Sequence, residues 1–317
     1  AGLLVRAVAD STWLFLTASA VALAGGAFGN VLIPTLIKRH FPARTGTMMT
    51  VYATALAVGT MLAAALTVPI EHASGGSWQL ALGVWAALAV LAAAPWLVIL
   101  RKDTPERRTG SYGGPRTLVR SKLAWAMAGY FGSQSLLAYV LFGWLAQVLL
   151  DGGYTTDGAG LVLGVFTALF IPSSLVVPAL AARMRNVRPL VTLFVFLYVA
   201  GFAGLLSGDA LWVWALVVGL AMSGFPMALT LLTMRARTAE GTAALSAFTQ
   251  SVGYLVAGAG PLLIGVLYDV TGGWTWPFVV LFAVVVAQML TGWYVGADRV
   301  IEDEARAVPD RVAATAG

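Results

Sequence analysis

Cysteine is absent from the 317 residues, and histidine occurs only twice. These residues therefore supply no disulfide framework, no thiolate nucleophile and no thiolate metal site. His40 and His72 flank a long apolar run and face opposite aqueous surfaces, so they cannot share a metal ion. Charge is scarce too. Asp, Glu, Lys and Arg make up 10% of the chain against 59% hydrophobic residues, with a mean hydropathy of +0.85. So few polar side chains cannot cover a water-soluble globule, and the composition is that of an integral membrane protein. A phosphate-binding loop of the ATPase type is also lacking, which argues against a primary pump.

What the chain does have is long apolar runs. Nine are long enough to cross a hydrocarbon core of about 30 Å at about 1.5 Å per residue. They lie at Thr12–Ile37, Thr47–Ile70, Ser77–Leu100, Leu123–Leu150, Ala159–Ala182, Pro189–Leu206, Ala210–Met234, Thr242–Leu267 and Trp276–Val295, and none contains Asp, Glu, Lys, Arg or His. Of the 19 Lys and Arg residues, all but Arg6 fall in alternate gaps or after the last run. Lys38, Arg39 and Arg44 share the first gap, and Arg183, Arg185 and Arg188 a later one. By the positive-inside rule these gaps and the C-terminus are cytoplasmic. The net charge of +5 follows from that sorting, and no nucleic-acid partner is expected.

The chain also repeats itself. Gly46-Thr47 returns as Gly241-Thr242 and Thr54 as Thr249, while Asp10 and Trp13 return as Asp209 and Trp212. A three-helix unit thus occurs twice. Extrapolating the repeat gives an expectation of roughly 75 residues before Ala1 and twelve spans in two six-helix halves. The expected division is 1–100 as the last part of the first half, 101–122 as a cytoplasmic linker, 123–296 as the second half and 297–317 as a charged tail, disordered or a short surface helix.

Neutral polar side chains inside the runs are the candidate solute-binding groups. Asn30 lies on the first run, where Pro34 lacks the N–H that would meet its carbonyl. Tyr52 lies on the second, Gln134 and Tyr139 on the fourth, and Gln250 and Tyr254 on the eighth. Such groups can exchange a solute's water for hydrogen bonds and still release it. For each, a bond between helices is the competing role. Tyr130 and Gln134 are four apart and share a face, as do Gln250 and Tyr254. The eighth run also carries Gly253, Gly258, Gly260 and Gly265; glycines there, after an apolar helix, read as close helix packing and not as a nucleotide loop. Pro172 and Pro178 should bend the fifth run, and Gly219 and Pro226 the seventh. Catalytic residues, metal ligands and cofactors are not expected.

Two halves joined by a basic central loop resemble the major facilitator superfamily. More closely, GNVLIPTLIKRHFPARTGTMMTVYATALAVG, LLAYVLFGWLAQVLLDGGYTTDGAGLVLG and ALTLLTMRARTAEGTAALSAFTQSVGYLVAGAGPLLIGVLYDVTGGW resemble the cyanate and 2-nitroimidazole transporter family. The resemblance implies an all-α polytopic fold with about nine of its spans present. It also implies a secondary active transporter of a small polar or anionic organic solute, expected as a monomer in the cytoplasmic membrane. Proton coupling is open, and a titrating carboxylate for it is expected before Ala1. Val21 and Ala22 stand where proton-coupled drug exporters carry an Arg, and the exporters' Gly-Pro motif is missing from the second run. The alternatives are another exporter of the superfamily or a receptor or scaffold that transports nothing.

Overall fold

The computed structural model describes residues 2–9, 11–102 and 115–304. Asp10, Tyr112, most of the linker and the tail beyond Glu304 lie outside the described residues. Among those described, every regular element is helical: α1 (Gly2–Ala7), α2 (Thr12–His40), α3 (Thr45–Ala73), α4 (Trp78–Lys102), α5 (Pro115–Arg120), α6 (Lys122–Asp151), α7 (Thr156–Ala168), α8 (Phe170–Ala182), α9 (Arg188–Ser207), α10 (Leu211–Ala221), α11 (Gly224–Met234), α12 (Ala239–Thr271) and α13 (Thr275–Gly296). A 3₁₀ turn, Pro42–Arg44, joins α2 to α3. Eight helical segments among the described residues are long and apolar enough to cross a membrane, and Trp78–Ala93 of α4 is a shorter apolar stretch.

Local chemistry sets the boundaries. Ser121, Thr155 and Thr238 cap α6, α7 and α12 by accepting from the N–H groups of Ala124, Gly158 and Gly241, which occupies otherwise orphaned helix donors. Gly272 ends α12 in the left-handed conformation at φ 68°, a geometry that favours glycine. The fifth run is split into α7 and α8 at Leu169, and the seventh into α10 and α11 at Met222-Ser223. Prolines three residues beyond each break explain it. Pro226 has no N–H for the carbonyl of Met222, which accepts from Phe225 N instead (2.9 Å). By contrast α2, α3 and α12 run on through Pro34, Pro69 and Pro261.

Two compact units form, 1–32 with 58–110 and 33–57 with 111–317. In the first, α1 lies on α2 so closely that a Cβ on Gly2 would stand 2.6 Å from the Ala18 carbonyl oxygen. Arg6 covers the Phe15 ring at 4.7 Å, Phe15 meets Trp78 edge-on, and Trp85 Nε1 donates to Thr67 Oγ1 (3.0 Å). Large apolar side chains such as Leu23 and Phe28 point outward, as hydrocarbon contact permits.

In the second unit α6 is central and packs on α12 and α13, while α9 packs on α10 and α13 and α8 on α11. The α12 glycines make the first contact possible. A Cβ on Gly253 would meet Phe131 at 2.8 Å, one on Gly260 Leu136 at 2.7 Å and one on Gly265 Trp144 at 2.7 Å. Gly132 faces Gly253 backbone to backbone. The close-packing expectation holds for these three α12 glycines, whereas Gly258 faces open space.

The segment after α13 differs from the expected disordered or surface tail. Residues 301–304 form a helical turn with Ile301 and Glu302 buried. Distant partners order it. Ile301 N donates to the Arg235 carbonyl (2.9 Å), and Glu304 Oε2 accepts from Ser121 Oγ (2.6 Å) and Leu123 N (3.2 Å).

Candidate functional site

An aromatic wall runs across the second unit. Phe131 on α6 lies 5.8 Å from Phe225 on α11 and 5.2 Å from Tyr254 on α12, and Phe225 lies 6.3 Å from Phe170 at the start of α8. Tyr139 on α6 stacks on Tyr254 at 6.3 Å with the rings 12° from parallel. Tyr52 on α3 is near enough to Tyr254 for the two phenols to interact electrostatically. Tyr139 is 41% exposed and Tyr52 and Tyr254 are half-buried, so the wall offers ring faces and hydroxyls to the space beside it. The helix breaks place two of these rings, since Phe170 is the first residue of α8 and Phe225 the second of α11. The breaks are themselves joined: Ser223 Oγ donates to Ser173 Oγ (2.6 Å).

Gln250 sits one turn below Tyr254, buried, and its Nε2 donates to Ser246 Oγ (2.8 Å). Thus Tyr52, Tyr139 and Tyr254 come together, and Gln250 shares the α12 face of Tyr254 one turn away. Asn30 lies half-buried on α2 in the first unit and has a partner of its own.

Gln134 takes another direction. It is five residues before Tyr139, about 140° away around the helix, and faces the interior of the bundle. Its Nε2 donates to Tyr198 Oη on α9 (2.9 Å), and its Oε1 accepts from Gln288 Nε2 on α13 (2.5 Å). The face shared by Tyr130 and Gln134 is real: a Cβ on Gly224 would stand 2.6 Å from Gln134 Oε1 and 3.4 Å from Tyr130 Oη. That face turns toward α9, α11 and α13. Both polar ends of Gln134 are engaged in holding helices together, as a buried amide at membrane depth requires. Sequence reasoning missed Tyr198 and Gln288. Their signal was there, since Gln288 is the one amide of α13.

At the end of the unit away from the basic turns, Asp151 does more than meet solvent. Its Oδ2 accepts from Tyr268 Oη (2.7 Å) and Trp274 Nε1 (2.8 Å), and its Oδ1 from Gln147 Nε2 (2.8 Å). One carboxylate therefore ties the ends of α6 and α12 to the start of α13. Trp144 joins the cluster at 6.2 Å from Tyr268 and donates to the Pro261 carbonyl (2.9 Å).

At the opposite end Arg235 is buried, with Nε donating to the Val295 carbonyl (2.7 Å) and Nη2 to that of Gly296 (3.3 Å). Burial pushes this guanidinium down from its usual pKa and Asp298 opposes the shift; arginine remains charged throughout. Exposed Arg237 pairs through both nitrogens with Asp303, which raises its pKa.

Comparison with known proteins fits this architecture. The sequence model of the Major Facilitator Superfamily matches residues 1–261. The chain is 34% identical to the "Uncharacterized transporter YycB" of Bacillus subtilis (strain 168) over 304 residues, covering 95% of this chain and 75% of that protein. It is 32% identical to the 2-nitroimidazole transporter of Escherichia coli (strain K12) over 305 residues, 95% of this chain and 77% of the relative. The cyanate transport protein CynX of the same organism is 30% identical over 284 residues, 87% and 73% respectively.

Proposed function

This chain belongs to the Major Facilitator Superfamily and is a secondary transporter, and from that premise we propose that it carries a small, polar or anionic, π-bonded solute of the nitroimidazole or cyanate kind by alternating access. The observation that carries this reading is the stacked pair Tyr139 and Tyr254 with the Tyr52 phenol beside it. Flat rings bind a planar solute through their faces, and phenol hydroxyls replace its water without the grip of a fixed charge. The wall residues named above are all uncharged, which suits a solute that must leave as readily as it enters. The reading is one of transport without a catalytic step, by a monomer. Tyr254→Ala in the full-length protein is expected to weaken solute binding about three- to tenfold, the worth of one aromatic contact, and also to lower the melting temperature through its lost packing on Phe131. Unchanged affinity for 2-nitroimidazole and cyanate alike would remove Tyr254 from the site.

The orientation belongs to the same proposal. With the basic turns in the cytoplasm, Gly152 and Gly272 face outside. Cysteines introduced there should react with an impermeant thiol reagent in intact cells, and a reaction only after permeabilisation reverses the topology.

A further inference from the structure

The turn from Arg235 to Thr238, between α11 and α12, is held from both sides by opposite charges. Lys38, in the last turn of α2, donates through Nζ to the carbonyls of Thr233 (2.7 Å) and Ala236. Thr233 is in the last turn of α11, where carbonyls lack a helical partner at the negative end of the helix dipole, and Ala236 lies in the turn just beyond it. Glu302 meets the other end of the turn. Its Oε1 accepts from Arg237 N (2.9 Å), Thr238 N (3.0 Å) and Thr238 Oγ1 (3.1 Å), at the positive start of α12. The two side chains attract each other across the turn, and each sits where the backbone dipoles favour its sign.

The two grips differ in origin. Glu302 is bound to the rest of the second half: Ile301 N to Arg235 O, Glu304 to Ser121 and Leu123, and Tyr294 Oη to Glu304 Oε1 (3.2 Å). Lys38 comes from the other repeat, and Thr233 stands 195 residues after it, the offset that superposes Gly46 on Gly241. The lysine therefore binds the position that is its own counterpart in the second repeat. Alternating access separates the two repeats on one side of the membrane at a time, so this bond must break once per cycle, whereas the Glu302 bonds need not.

We propose that Lys38 is the releasable latch of the basic side of this transporter, and that Glu302 is a positioning residue that holds the Arg235–Thr238 turn in shape to receive it. The inference rests on transport by alternating access but on no particular solute, and the labelling part of its test needs none. Met49 on α3 is fully buried in the core shared with α11 and α12, so a cysteine there reports opening.

In the full-length protein carrying Met49→Cys, an impermeant thiol reagent is applied on the basic side. Lys38→Gln is expected to speed labelling about tenfold, the population shift that follows when one state loses a charged hydrogen-bond donor. Lys38→Arg, which keeps a cation on the carbonyls, should restore slow labelling; fast labelling with both variants means lost packing and overturns the latch. Glu302→Ala should speed labelling by a smaller factor, and adding it to Lys38→Gln should do nothing more, because it acts through the lysine. Additive effects would sink the positioning role. Finally, joining Lys38→Cys to Ala236→Cys with a short, reductant-cleavable linker should stop solute uptake until the linker is cleaved. Uptake that continues with the linker in place rules the latch out, while a lost solute preference with intact labelling behaviour counts against the binding site alone.

Discussion

Gln134 shows how a single amide is used at membrane depth. It spends its donor on Tyr198 and its acceptor on Gln288, so removing one partner strands the others in a medium without water. A buried group left unpaired costs about 1–3 kcal/mol, whereas removing both partners together is nearly neutral. Gln288→Leu and Gln134→Leu are each expected to lower the melting temperature of the detergent-solubilised protein. The double variant should fall less than the sum of the two, and both single variants should bind solute as the parent does. An affinity loss in Gln134→Leu without a fall in melting temperature would return that residue to the binding site. From sequence, spacing along α6 placed Tyr130 and Gln134 on one face but did not say what that face meets. The answer lies on α9 and α13, 64 and 154 residues away, and periodicity within one helix carries no such information. Tyr139 and Tyr254 were legible as neutral polar groups in apolar runs. Their stacking depended on how α6 and α12 cross.

Helix contacts were easier to read where the backbone itself takes part. The glycines of α12 recur on the side that meets α6, and only a residue without a Cβ allows Gly132 and Gly253 to approach as they do. Gly253→Leu is therefore expected to overpack this contact and destabilise by about 1–3 kcal/mol, whereas Gly258→Leu, facing open space, should be tolerated in a thermal-shift assay. Equal melting of the two variants would show that α6 and α12 can slide apart at little cost. The helix breaks were legible for a similar reason: proline removes a donor wherever it stands. Yet Pro34, Pro69 and Pro261 leave their helices continuous, so a proline marks a weakened hydrogen bond and neighbouring packing decides whether it becomes a break. The tail was misread because its charges suggest solvation by composition. Ile301 and Glu302 are ordered by Arg235, Arg237 and Thr238, which the local sequence cannot reveal.

Across the second unit, α6, α12 and α13 are fastened at three levels. Asp151 joins them at one end, and Gln134 joins α6 to α13 and α9 in the middle. At the basic end the 298–304 segment holds α6, α13 and the start of α12 together. A helix triplet tied at both ends resists splaying, whereas the seventh run is interrupted between α10 and α11 and the fifth between α7 and α8, the two breaks being bridged by the Ser173 and Ser223 hydroxyls. Alternating access asks for this combination, rigid bodies with bending confined to a few points. If Asp151 serves rigidity alone, Asp151→Ala should release Tyr268 and Trp274 without touching the aromatic wall. Amide hydrogen exchange should then rise at the α12–α13 turn, residues 269–276, and stability should fall by roughly 1 kcal/mol, as expected for exposed charge-assisted bonds. Asp151→Asn keeps a carbonyl acceptor and should lose less. Solute affinity should stay within about twofold in both variants, less than one hydrogen bond is worth. A selective loss of affinity in Asp151→Asn, with exchange at 269–276 unchanged, would show that the carboxylate's charge acts on the solute and that this end of the unit belongs to the transport path.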